Sequence, residues 1–171
     1  MKSKAGTAAG QPAARISVIG PSQATPETLS LAEQVGSEIA RRGAVLICGG
    51  LGGVMEAAAR GARRENGLTV GILPGADAGD ANAFIDLPLP TGLGEARNVL
   101  VARAADAVIA IGGAYGTLSE IAIALKLGIP VIGINTWSLR APDGAAAPIL
   151  AATTPGEAAE AALAAARRRA R

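Results

Sequence analysis

Short apolar runs that end in glycine alternate with helix-patterned stretches along most of the chain. This alternation restricts the fold more than any other feature. RISVIG (15–20), AVLICGG (44–50), LTVGILPG (68–75), AVIAIGG (107–113) and IPVIGIN (129–135) are nearly continuous apolar segments. Strands of that kind are covered on both faces, as in a parallel sheet. Between them lie helical patterns. TPETLSLAEQVGSEIARRG offers Thr25 as a cap, Pro26 at the first position and Gly43 as a stop. GVMEAAARGARREN (53–66), a stretch from about Leu93 to Ala104, TLSEIAIALKLG (117–128) and TTPGEAAEAALAAARRRAR, with Pro155 near its start, follow in turn. AFIDLPLP (83–90) reads as a further short strand, and WSLRAPDGAAA as a loop. Right-handed crossovers then give an α/β fold: a doubly wound, Rossmann-like parallel sheet of about six or seven strands flanked by helices. Residues 1–14 read as a disordered leader, 15–168 as a single domain and 169–171 as a basic tail.

Composition narrows the chemistry. The chain has no histidine, which excludes Ser-His-Asp triads, imidazole acid/base catalysis and imidazole-ligated zinc. No metal site is expected. The single cysteine, Cys48, falls in an apolar strand and cannot form an internal disulfide, in keeping with a reducing compartment. There is no secretory leader pattern and no apolar run of membrane-spanning length, so a cytoplasmic protein without a membrane partner is expected. Net charge is only +2 and aromatic content 2%, which argues against a nucleic-acid groove or a base-stacking platform for single strands.

The glycine clusters fall at the carboxyl ends of the expected strands, where doubly wound sheets bind ligands. Gly20 and Ser22 follow the first strand. Gly49, Gly50, Gly52 and Gly53 follow the second, and an LPG turn (73–75) follows the third. Gly112, Gly113, Gly116 and Thr117 follow the AVIAI run. Backbone N–H groups in such turns, with a helix N-terminus behind them, can cradle an anion. Glu56 and Glu120 stand near the starts of the two following helices. No Walker lysine is present and GxGxxG is not matched, so a standard nucleotide fingerprint is not expected. GEARN (94–98) brings Arg97 and Asn98 to the same rim, and a guanidinium can fork onto phosphate or carboxylate. Thr117 and Glu120 also have the spacing of a capping box, with Thr117 as N-cap and Glu120 in the first turn.

GLGEARNVLVARAADAVIAIGGAYGTLSEIAIAL resembles the signature region of the "lonely guy" superfamily, often labelled lysine decarboxylase-like, and GGLGGVMEAAARGA resembles its earlier glycine-rich turn. The similarity runs from about Ile16 to Asn135 and is strongest to the small branch that includes molybdenum-cofactor carrier proteins. In the cytokinin-activating enzymes of the superfamily, the residues matching Arg97 and Glu120 act on the N-glycosidic bond of a nucleoside 5′-monophosphate. The glycine–threonine turn holds the phosphate. This chain has Ile111 where those enzymes have proline, lacks their histidine, and has one more residue between Gly113 and Gly116.

The resemblance therefore implies first a binding or carrier protein for a phosphorylated small molecule, nucleotide-like or molybdenum-cofactor-like. The molybdenum cofactor would then be cargo, and no cofactor is required by the protein itself. The alternative is a phosphoribohydrolase with Arg97 and Glu120 as catalytic residues. An oligomeric scaffold is the third reading. Lysine decarboxylase activity is not implied. Relatives of this kind are dimers or larger, so a homo-oligomer, dimer or tetramer, is expected.

Overall fold

The computed structural model describes residues 13–169. Seven strands, β1 (Arg15–Ile19), β2 (Val45–Cys48), β3 (Thr69–Leu73), β4 (Leu87–Pro90), β5 (Ala107–Ile111), β6 (Val131–Ile134) and β7 (Ile149–Ala151), form one sheet in the order β4-β3-β2-β1-β5-β6-β7. Every strand pair is parallel. The order reverses between β1 and β5, so the carboxyl ends of these two strands flank the crevice where such sheets take ligands.

The apolar runs are continuous because alternate residues feed two cores. Ile16, Val18, Leu46, Cys48, Ile109 and Ile111 pack with α1 (Pro26–Arg41), α2 (Val54–Arg64) and α5 (Pro155–Arg169). Ile19, Ile47, Ile72, Val108 and Ala110 pack against α3 (Asn98–Arg103) and α4 (Tyr115–Lys126). The one buried hydroxyl of β1, Ser17, donates to the Val101 carbonyl of α3 at 2.8 Å. A buried hydroxyl without such a partner would be costly.

α1 begins as expected: Thr25 caps it by accepting from the Thr28 N–H at 3.3 Å, and Pro26 occupies the first turn. Three expectations need correction. First, only 87–90 of the 83–90 segment forms a strand. Ahead of it, Thr69 Oγ1 donates to the Phe84 carbonyl at 2.6 Å and to Asp86 Oδ2 at 2.9 Å, so side-chain bonds fold 84–86 into a turn.

Second, the helix expected from Leu93 divides into a 3₁₀ turn (Gly94–Arg97) and α3. Gly92 and Gly94 have φ of +65° and +55°, outside the helical region. The seventh strand, within the expected six or seven, comes from the stretch after β6 as a three-residue edge strand with two exposed positions. Third, Arg169, placed in the tail, is the last described residue of α5. Residues 1–12 of the expected leader and 170–171 of the tail lie outside the described residues, whereas the Ala14 carbonyl already accepts from Val45 N–H at 2.8 Å. Among the described residues no helix is long and apolar enough to cross a membrane.

Candidate functional site

Three turns meet at the carboxyl edge, and their glycines explain how they come so close. Gly53 has φ of +68°, and a Cβ there would lie 2.4 Å from the carbonyl oxygens of both Pro21 and Ser22. The next residue, Val54, donates its N–H to Pro21 at 3.0 Å, which locks the turn after β2 onto the turn after β1. A Cβ on Gly20 would lie 2.6 Å from the Ile111 carbonyl and from Val54 Cγ1, so the β1 turn also abuts the end of β5. Gly112, with φ of +65°, turns the chain beside Pro21 and Thr28. Gly50 is buried. Gly52 is half-buried, and its missing Cβ would be 3.9 Å from Glu56 Oε2 and 4.0 Å from the Ser22 carbonyl. Ser22 itself is exposed at the rim.

The turn after β3 does different work. The Leu73 carbonyl accepts from Thr91 Oγ1 at 2.7 Å, Gly75 accepts from Gly92 N–H at 2.9 Å, and Pro74 accepts from Gly94 N–H at 3.0 Å. These bonds dock 91–94 and deliver Arg97 to the site. Its guanidinium lies on Gly49, where a Cβ would sit 2.5 Å from Nη1. Arg97 is 8% exposed, and its Nε has no hydrogen-bond partner among the described residues. Arg97 Nη1 stands 3.6 Å from Glu120 Oε1, an ion contact too long for a hydrogen bond. Asn98 is buried beside it and donates from Nδ2 to Ser119 Oγ at 3.1 Å, and Ser119 donates to the Gly116 carbonyl at 2.7 Å. Asn98 thus stitches α3 to the first turn of α4.

The capping box does not form. α4 begins at Tyr115, with Ala114 in extended conformation as its N-cap and no side-chain cap. Leu118 N–H reaches back to the Ala114 carbonyl at 2.9 Å, so Thr117 is the third helical residue and Glu120 belongs to the second turn. The first N–H groups of the helix are therefore left without a side-chain acceptor. Gly113, Ala114, Tyr115 and Gly116 are all exposed around them. Thr117 is 2% exposed and its Oγ1 has no partner among the described residues.

Glu120 is 6% exposed, and burial pushes its carboxyl up to about 7, against the opposing pull of Arg97 and with a further push from Glu95. The edge thus combines a buried cation, a carboxyl that changes charge near neutrality, and an uncapped helix N-terminus. That combination can hold an anion and can move a proton.

Sequence reasoning missed several supporting residues. Asn82 Nδ2 clamps the carbonyls of Gly50 and Leu51 at 3.1 and 2.8 Å, fixing the second glycine turn from a loop that carries no motif. Cys48 lies below the pair as a fully buried thiol, pushed up to about 11 by burial. Trp137 and Tyr115 flank the turn after β5. An isolated aromatic in a chain with three of them was the available signal. Among the described residues no group of three or more Cys, Asp or Glu side chains could hold a metal ion.

The chain is similar in sequence and fold to known proteins. An uncharacterized protein of Archaeoglobus fulgidus is 52% identical over 121 residues, covering 71% of this chain and 80% of that one. The molybdenum cofactor binding protein of Rippkaea orientalis superposes with a TM-score of 0.80 at 36% identity, covering 91% of this chain and 98% of the other. The molybdenum cofactor carrier protein of Chlamydomonas reinhardtii does so with a TM-score of 0.78 at 31% identity, covering 90% and 98%. A profile of the SLOG cluster4 family matches residues 13–165, from the residues just before β1 well into α5. The superfamily resemblance carried by GLGEARNV and GGAYGTLSE is borne out on this scale, and the chain belongs to the SLOG cluster4 family.

Proposed function

We propose that the protein binds a phosphorylated small molecule at this carboxyl edge and acts as a carrier, with molybdenum cofactor as the leading candidate for its cargo. The observation that carries the reading is that Arg97 Nε and Thr117 Oγ1, two of the three buried side-chain polar atoms without a partner among the described residues, belong to this edge, where the start of α4 has no side-chain cap. Unpaired buried donors are costly, and a phosphate group supplies the acceptors they lack. Positive helix dipole ends and backbone N–H groups favour the same charge. Gly20, Ser22, Gly52, Gly53, Gly112, Gly113 and Gly116 would line the cradle. Arg97 would contribute charge, and Asn98 would fix the first turn of α4. Gly49 and Gly50 would serve by giving Arg97 and the β2 turn their places. The names of the two molybdenum-cofactor proteins among the structural relatives support that choice of cargo. A homo-oligomer is part of the same proposal, supported by Leu93 and Val99, which are exposed near the start of α3.

One observation favours a second reading. A buried carboxyl near pH 7 beside a cation suits general acid/base work. As a phosphoribohydrolase, the site would break the bond between ribose C1′ and the base nitrogen, add water oxygen at C1′, and return a proton to the base.

Incubation with molybdenum cofactor and, separately, with AMP distinguishes the two. Carriage predicts that the cofactor stays with the protein through gel filtration, that millimolar inorganic phosphate displaces it, and that AMP remains intact. Adenine released by the wild type and not by Glu120→Gln would establish hydrolysis instead. Failure to retain any phosphate ester at millimolar concentration would overturn the binding reading.

A further inference from the structure

Two of the three aromatic side chains in the whole sequence stand together at the mouth of the site. Tyr115 is the first residue of α4 and is 83% exposed. Trp137 comes from the loop after β6, on the other side of a helical crossover. Their ring centroids are 6.1 Å apart with the planes tilted by 31°, within the range of favourable aromatic pairs. Trp137 is not free to drift. Its indole N–H donates to the Ala114 carbonyl at 3.3 Å, and its ring fills the space over Gly113, where a Cβ would lie 2.9 Å from Nε1.

Residues that pack a core are buried, and Tyr115 is the most exposed large hydrophobic side chain among the described residues. It precedes Gly116 and Thr117, whose buried Oγ1 lacks a partner. Tyr115 is itself the first residue of the uncapped helix start, and the Trp137 ring that it meets lies over Gly113 just before it. A molecule with a phosphate at one end and a flat ring at the other would engage the helix start and the aromatic pair together.

We propose that Tyr115, backed by Trp137, is a stacking platform that selects phosphate esters carrying a planar heteroaromatic ring over esters that carry none. The inference rests on the phosphate site of the proposed function and adds to it the residues that read the ligand's ring. Stacking tolerates different ring systems because each has a π face, so the platform accepts a purine or a pterin alike.

The experiment compares AMP with ribose 5-phosphate on the full chain, by calorimetry and by the fluorescence of Trp137, the sole tryptophan. AMP is expected to bind at least tenfold more tightly and to quench Trp137, whereas ribose 5-phosphate leaves the emission unchanged. Tyr115→Ala should bring AMP down to the affinity of ribose 5-phosphate, and Tyr115→Phe should restore the preference. Equal binding of both esters to wild type, or an unchanged ratio in Tyr115→Ala, overturns the platform while leaving the phosphate site standing. A change in oligomer mass in Tyr115→Ala, with the ratio intact, overturns it in favour of an interface between copies. Binding of neither ester sinks the phosphate reading and the platform with it.

Discussion

Gly61→Ala is expected to destabilise the protein by about 3 kcal/mol, lowering the melting temperature by about 6–12 °C. In an exposed helix the same change gains up to about 1 kcal/mol, so the sign itself is diagnostic. Gly61 lies in α2, where a Cβ would fall 1.9 Å from the Glu33 carbonyl oxygen of α1. The relation is reciprocal: a Cβ on Gly36 of α1 would fall 1.9 Å from the Ala58 carbonyl of α2. The two helices therefore touch backbone to backbone, and Ser37 Oγ donates to the Gly61 carbonyl at 3.1 Å across the seam. A methyl group cannot be absorbed by rotating a side chain there, because the obstacle is main chain. The helices must separate, and the α2 N-terminus would move away from the β1 turn it holds. Gly116→Ala is the control: that position is helical with nothing within 4 Å of its missing Cβ, so its melting temperature should stay level or rise. Thermal unfolding by circular dichroism decides it, and a Gly61→Ala protein melting at or above wild type would contradict the packing described here.

The second large effect is electrostatic. Between pH 4 and pH 8 the wild type should lose about 3 kcal/mol of stability through Glu120 alone, a contribution that Glu120→Gln should lack. The carboxyl titrates at about 7 in the folded protein against an ordinary value of 4.5. The folded state therefore binds this proton more tightly than the unfolded state. Below pH 4.5 both states hold it and the full contribution is present. As pH rises towards and through 7 the contribution drains away, because the folded protein must carry a desolvated carboxylate. Arg97 at 3.6 Å recovers part of that cost but does not reverse it. Melting temperatures of the two proteins at pH 5 and pH 8 isolate the effect: wild type should fall relative to Glu120→Gln as pH rises. Parallel profiles would show that Glu120 is better solvated than its burial implies.

Much of this architecture can be read from the chain, for a physical reason. Runs such as AVIAI are apolar at every position because both faces of a parallel strand are covered, and their shortness and flanking glycines set them apart from a buried helix. Arg97 and the glycine turns were placed at one edge because all carboxyl ends of a parallel sheet point the same way. The sequence points to a start of α4 at Thr117 because Thr-Leu-Ser-Glu offers a locally sufficient cap. Tertiary contacts override it: Glu120 pairs with Arg97, and the helix extends back to the extended Ala114. Asn82 carries no local signal, because it matters only through its contact with the Gly50–Leu51 turn far away in the chain. β7 escaped notice because an edge strand of three residues with two exposed positions has no periodicity to detect.

We propose that a phosphorylated molecule binds in the crevice where the turns after β1, β2 and β5 meet the start of α4. Native mass spectrometry of the folded protein as purified tests it most directly. The predicted result is an excess mass that fragments to a phosphate ester, and that is lost or sharply reduced in Arg97→Ala. A bare polypeptide mass that molybdenum cofactor and AMP both fail to shift at millimolar concentration would contradict it.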